Sequence, residues 1–443
     1  MDLTLIPWIN KVLRNRWLVF FPRAVMLAGF AFTIVVGFIG TGVGGRNFAI
    51  MFVWIAWWTV LKLVLIPFGG RSWCSICPIP VPGEWLQQRF LVQPQGKSPG
   101  KRHSWPKKLR GSWLQLLGFA FMGLFSAFLL TKPAATSWIL LFLCILAFGL
   151  SLIYDRRSFC RYLCPIGGYI GWYAQLAPIE VRARDQAICS QHTPKTCFTG
   201  CAEGPGCPWG LVPATNQQNL DCGLCMECQR TCPYDNMAVR LRPFGHDLAV
   251  VNANRTLDRA WFGLFILACV PVYSAMMLGY WGALKTAAYS VGSTAWFTYA
   301  AAFLLFTLGL VPGMFAIAVY GGWRWRAKGD TFRGVFIRLA YSFAPLGLMA
   351  WIAFTISFAF GKLAYVWPVL SDPFGWGWDL FGTAHWTWHP YLQTITPIVQ
   401  VMILGIGLHW TATWIKRYAG FRQAFPVLIF ALTYTILALG LLI

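Results

Sequence analysis

The sequence predicts a polytopic, all-α membrane protein of about nine spanning helices, interrupted by one polar, cysteine-rich cytoplasmic insert. Three observations predict it. The 443 residues are 57% hydrophobic and only 11% charged, with 25 Trp and 35 Phe, whereas soluble domains carry about a quarter charged residues. Apolar runs near 20 residues recur along the chain, the length that crosses a bilayer as a helix. The polar residues that remain are concentrated, above all between 165 and 260, where eight of the 14 cysteines fall.

The expected spans, in order, are 17–40, 48–68, 113–131, 136–154, 261–283, 295–322, 335–361, 393–415 and 424–443. The first begins near Trp17 and is too long for a signal-peptide core, so it reads as a retained anchor with no cleavable signal evident. The N-terminus, with Lys11, Arg14 and Arg16, is placed in the cytoplasm. Then only Arg46, Lys132, Lys285 and Lys362 fall outside, and the other 32 of the 36 Lys and Arg lie inside or at cytoplasmic helix ends. This is the positive-inside pattern, and it implies an inner (cytoplasmic) membrane protein with its insert in the cytoplasm. Topology and anionic lipid account for the formal charge of +22 and leave no basic patch for nucleic acid. Lys62, near the cytoplasmic end of the second span, is expected to snorkel to the surface.

Three domains follow. Residues 1–164 form two hairpins, each ending in a Cys-Pro motif; 165–260 form the insert; 261–443 form a five-helix membrane domain. The basic stretch "LVQPQGKSPGKRHSWPKKLRGSW", 91 to 113, reads as a solvated, lipid-facing loop.

Twelve cysteines fall in or beside the reducing cytoplasm, where clustered thiols are metal ligands more often than bridges. Cys144 and Cys269 lie within apolar spans and read as small apolar filler. In "DCGLCMECQRTCPYDNMAV", Cys222, Cys225, Cys228 and Cys232 follow C-x2-C-x2-C-x3-C-P, the run that holds [4Fe–4S] clusters in bacterial ferredoxins. Zinc sites with four cysteines instead arrive as two separated pairs. Such a run needs a second set, and Cys189, Cys197, Cys201 and Cys207 supply it. By ferredoxin logic Cys207 completes the cluster of Cys222, Cys225 and Cys228, while Cys232 completes that of Cys189, Cys197 and Cys201. The insert is therefore expected to be a two-cluster, ferredoxin-like domain. His192 in the same loop is an alternative ligand to a thiolate.

A further pattern is written twice: "RSWCSICPIP" at 71–80 and "RSFCRYLCPI" at 157–166. Cys74, Cys77, Cys160 and Cys164 thus end two related hairpins, and repeated hairpins packed together would bring the pairs face to face. Arg71, Arg156, Arg157 and Arg161 beside them favour thiolate. The expectation is a shared redox or metal site, filled by a further cluster, a copper or zinc ion, or a dithiol switch; the alternative is that Cys-Pro merely ends each helix.

These motifs together resemble the membrane polyferredoxins, which include the quinol-oxidising ferredoxin subunit of periplasmic nitrate reductase systems, the nitrous-oxide-reductase regulatory membrane protein and the accessory ferredoxin of cbb3 oxidase assembly. The resemblance covers roughly residues 17 to 245. It implies that Cys74, Cys77, Cys160 and Cys164 take the membrane-edge positions, and the eight insert cysteines the cluster positions. The regulatory protein's periplasmic flavin domain has no counterpart here, and the last five helices lie outside the pattern.

Three histidines are candidates for a quinone or metal contact. His409 lies within the eighth span, where an ionisable residue is functional by default. His385 and His389, in "HWTWHP", are four apart, a spacing that shares one face if helical; the competing reading is an interfacial aromatic belt. With one histidine inside a span, a bis-histidine haem is not expected. The sequence thus points to an iron–sulfur electron-transfer subunit of a membrane oxidoreductase complex. Electrons would pass between its clusters and quinone or a partner redox subunit. The rival is a factor that reduces or delivers a metal for assembly of a copper or respiratory enzyme. Transport is weaker, because broken helices in inverted repeat are not evident.

Overall fold

A computed structural model describes residues 1–94, 102–250, 254–278 and 282–443; part of the basic 91–113 loop lies outside the described residues. The protein is mostly helical. Among the described residues, eight helices are long and apolar enough to cross a membrane: Trp17–Ile39, Phe48–Gly69, Pro133–Ile153, Leu257–Met277, Thr294–Gly321, Phe332–Phe360, Thr396–Tyr418 and Phe421–Leu442. The expected third span is broken. It runs as Trp113–Leu124 and Ser126–Leu129, with Phe125 out of helical geometry at φ −93° and ψ 7°. The expected fifth span stops at Met277 rather than 283.

The chain divides into two compact units. The first comprises Met1–Phe32, Val64–Gln115 and Trp138–Ala253, and so holds both Cys-Pro repeats and the insert. In the insert, β1 (Ile179–Ala183) pairs antiparallel with β2 (Met237–Leu241), Val181 facing Val239. This small sheet is an addition to the helical expectation. Its Val181, Met237 and Val239 form a core with Leu224 from the ferredoxin run, and Leu3 and Leu13 from the N-terminus pack against it. The N-terminal helix Pro7–Arg14 is thus part of the insert. The Met1 amino group donates to the Leu241 carbonyl (3.0 Å), Arg16 pairs with Glu227 (3.0 Å), and Arg230 donates to the Leu13 carbonyl (2.9 Å).

The second unit comprises Thr33–Leu63, Leu116–Ser137 and Asn254–Ile443. Phe332–Phe360 and Leu257–Met277 are its most buried helices. Phe332–Phe360 meets Thr396–Tyr418 where Gly407 lets the backbones close: a Cβ there would come within 2.8 Å of the Met349 Cβ. Gln400 donates to the Ala353 carbonyl (3.0 Å), and the Thr411 hydroxyl accepts from the Leu346 N–H (3.1 Å). Small residues and buried polar links of this kind are how helices associate in lipid.

Candidate iron–sulfur centres

Each Cys-Pro step breaks one helix and starts another, because proline lacks the N–H that continues a helix yet suits its first turn. Cys77 ends the short helix Trp73–Ile76 at φ −57°, ψ 129°; Cys164 ends Phe159–Leu163 and caps Pro165–Ala174 at φ −61°, ψ 115°. The repeat therefore extends to backbone geometry. The Cys164 sulfur accepts from the Gly167 N–H at 3.3 Å.

The two copies hold each other reciprocally. Arg71, from the first, donates to the carbonyl of Cys160 (2.9 Å), and its equivalent Arg157, from the second, donates to the carbonyl of Cys74. Arg157 is in turn fixed by the buried carboxylate of Glu84, which Arg23 also approaches at 3.6 Å. The four thiols lie within electrostatic reach of one another. Burial first, and then the charges of Cys160, Cys74 and Cys164, push the Cys77 thiol well up. Burial likewise raises Cys160, despite Arg157 and Arg71, and pushes Cys164 up to about 11. The expectation that neighbouring arginines favour thiolate is corrected here: desolvation outweighs them.

The same arginines reach the insert. Arg71 donates to the Leu220 carbonyl (2.6 Å), Arg156 to that of Cys207 (2.8 Å), and Arg161 to those of Trp209 (2.7 Å) and Gly210 (3.0 Å). Trp209 is buried, with the Arg71 guanidinium 4.4 Å and the Arg157 guanidinium 5.4 Å from its ring.

Within the insert the cysteines fall into two adjoining neighbourhoods. After burial, the charges of Cys225, Cys222, Cys207 and then Cys197 push the Cys228 thiol up, and those of Cys232, Cys189 and then Cys207 do the same at Cys197. Cys207, Cys222, Cys225 and Cys228 line one cavity of about 370 Å³, together with Trp209 and Met226. The loop bends round it because Leu224 and Met226 adopt φ of 52° and 61°, the left-handed region that side chains seldom enter. Gly223, just before Leu224, admits Trp209: a Cβ there would lie 2.1 Å from the indole nitrogen. That nitrogen is buried with no hydrogen-bond partner among the described residues. Among the same residues no three Cys, His, Asp or Glu converge as on a single metal ion. A four-iron cluster takes one thiolate at each iron, so its ligands ring a void instead of meeting at a point. The residues present fit such a group.

At the second neighbourhood Asn236 bridges two sulfurs, its N–H donating to Cys232 at 3.4 Å and its side chain to Cys189 at 3.3 Å. Cys201 is exposed, on a tight turn with Gly204. His192 is half-buried, bonded to the Ile188 carbonyl (2.8 Å), with its ring centre 4.7 Å from that of Tyr234 at a tilt of 45°. Sequence reasoning missed Asn236, Trp209 and Glu84. The last was findable, since an acid beside a Cys-Pro repeat amid so much basic charge is a natural arginine partner.

The three membrane histidines are not brought together. His409 is exposed on Thr396–Tyr418, and His385 and His389 are exposed in irregular chain, so helical spacing does not apply to them. Lys62 overturns its expectation: it is 5% exposed and does not snorkel. Cys269 is buried within Leu257–Met277 and Cys144 is half-buried in Pro133–Ile153.

Two stretches of the chain, 50–98 and 135–182, match the 4Fe-4S binding domain family. Each contains one Cys pair of the repeat, Cys74 with Cys77 and Cys160 with Cys164, and the ferredoxin run lies outside both. The candidate spans and the matched stretches together support a membrane protein that carries electrons on iron–sulfur clusters, similar to polyferredoxin-like proteins. Among curated proteins, the methylamine utilization ferredoxin-type protein MauN of Paracoccus denitrificans (strain Pd 1222) is 26% identical, over 42% of this chain and 68% of its own length. No solved structure matches.

Proposed function

We propose that this chain carries electrons on [4Fe–4S] clusters at the membrane edge, exchanging them with quinone or with a partner redox subunit of a larger complex. Cys207, Cys222, Cys225 and Cys228 hold one cluster, and Cys189, Cys197, Cys201 and Cys232 a second. Cys74, Cys77, Cys160 and Cys164 hold another between the repeats. The carrying observation is the ring of four cysteines around one cavity, one of them, Cys207, arriving from outside the run in the way double-cluster ferredoxins exchange ligands. The matched family supports the hairpin cluster, because each matched stretch brings two thiols and the arginines cross-link the copies. When bound, a cluster takes up and releases one electron. The chain's own residues hold it, desolvate it and aim N–H groups at its sulfurs, which tune potential. Burial of Cys74, Cys160 and Cys164 counts against the metal-delivery alternative, since a carrier must expose its thiols to hand an ion on.

The test is composition and spectroscopy after anaerobic purification. The two insert clusters require about eight iron and eight sulfide per chain, and the hairpin cluster brings each to about twelve. Electron paramagnetic resonance of the reduced protein should show interacting [4Fe–4S] signals. A colourless, zinc-loaded protein would overturn the reading.

A further inference from the structure

Within the second unit lies a cavity of about 530 Å³, part of it open to solvent. The walls are flat and aromatic: Trp54 and Trp58 from Phe48–Gly69, Tyr273 from Leu257–Met277, and Trp351, Phe354 and Phe358 from Phe332–Phe360. All three helices are candidate membrane spans, so what enters comes from lipid.

Lys62 is the charged side chain in its lining. Its Nζ stands 5.1 Å from the ring centre of Trp58, 4.9 Å from that of Trp351 and 5.4 Å from that of Phe354. An ammonium gains from ring faces at such distances, yet three N–H donors remain. Lys62 makes no ion pair or hydrogen bond among the described residues, and no carboxylate lines the cavity. Three neighbouring donors are already used. The Trp54 indole donates to the Thr136 hydroxyl (2.9 Å), the Trp351 indole to the Ile266 carbonyl (3.1 Å), and the Thr355 hydroxyl to the Trp351 carbonyl (2.6 Å). A second observation is backbone geometry. Met51–Trp57 and Leu61–Leu65 are π-helical, and Pro67 follows the second turn. Such wide turns are frequent at functional sites, and here one carries Lys62.

We infer that this pocket binds a flat, lipid-soluble ring bearing carbonyl oxygens, the chemistry of the quinone class, with a ring oxygen accepting from Lys62 Nζ. A hydrocarbon chain would leave the lysine unmatched, and a phosphate headgroup would leave the aromatic faces unmatched. Naming the ring rests on the electron-transfer reading above; the pocket itself does not. The far wall, from Tyr273 to Phe358, comes from helices outside both family-matched stretches, so the site is a property of this chain beyond the repeat.

The experiment titrates menadione, a naphthoquinone, and 2-methylnaphthalene, the same ring system without oxygens, into full-length, cluster-loaded protein in detergent by calorimetry. Menadione should bind saturably. Lys62→Met, which keeps the apolar stem, should weaken it roughly tenfold or more and leave 2-methylnaphthalene unchanged. Leu130→Trp, which fills the cavity and leaves the lysine in place, should abolish binding of both. Iron content equal to wild type shows that the variants fold. Menadione binding unchanged in Lys62→Met, or 2-methylnaphthalene binding wild type as tightly as menadione does, overturns the inference. Cluster oxidation is read separately: two reduced clusters give one electron each, and the quinone takes both with two protons from water. Lys62-dependent binding without oxidation keeps the pocket and removes quinone from the proposed function. Oxidation with Lys62-independent binding removes the pocket and keeps the function.

Discussion

Glu84 is one of 14 acidic residues in a chain of formal charge +22, and it is buried between two arginines. Burial by itself would raise its carboxyl; Arg157 and then Arg23 outweigh that and hold it below its ordinary value of 4.5. A carboxyl lowered in the folded state contributes stability that is complete above 4.5 and lost as pH falls through the folded value. Stability at neutral pH should therefore be flat with respect to this group. Glu84→Gln leaves two buried guanidiniums without their carboxylate and should cost about 3–5 kcal/mol at pH 7. Thermal unfolding in detergent measures it, and a loss below about 1 kcal/mol would mean that water already screens the pair. Because Arg157 also grips the Cys74 carbonyl, iron bound at the hairpin cysteines should fall with it. Cysteine spacing announced the thiols, but nothing in the spacing shows which acid is buried. Lys62 misled for a related reason: snorkelling is a default for a lysine near a span end, and only the π-turns turn it inward.

At the scale of elements, the repeat is a hairpin whose Cys-Pro step ends one helix and starts the next, and in the proposed function each copy contributes half of one site. Groups that act as a unit lose function together, so single losses equal the double loss. Cys77→Ser, Cys164→Ser and the double variant should share nearly the same electron-transfer defect per folded molecule. Iron should fall by about four per chain in each, with the two insert clusters retained. Additive, modest losses confined to protein yield would return these cysteines to helix-end packing. Duplication of the motif was plain in the sequence, as were the ferredoxin run and most span positions. The β1–β2 pair and the docking of Pro7–Arg14 were not. Both are long-range pairings, Met1 to Leu241 being the extreme, and local periodicity carries no information about such partners. Arg14 and Arg16, counted as topology signals, in fact also pair with Asp235 and Glu227.

For the whole molecule, the N-terminal contacts decide how many times the chain crosses before the insert. Met1, Leu13 and Arg16 touch the insert directly, so both must lie on one face of the membrane. An even number of crossings must therefore separate Arg16 from Pro165. Long helices supply three, Trp17–Ile39, Phe48–Gly69 and Pro133–Ile153. The fourth has to be the broken helix between Trp113 and Leu129, whose length of about 17 residues is the least that spans a bilayer. We propose from the positive-inside excess that the shared face is cytoplasmic. Three further candidate spans, Leu257–Met277, Thr294–Gly321 and Phe332–Phe360, would then carry the chain to the opposite face before the loop that holds His385 and His389. A fluorescent-protein fusion at residue 215 should therefore be bright and an alkaline phosphatase fusion there inactive, with the reverse at residue 375. Matching signals at the two positions would mean that one of those three helices does not cross. Reversed signals at both would keep the parity and put the clusters on the outer face, where a cytoplasmic electron donor could not reach them.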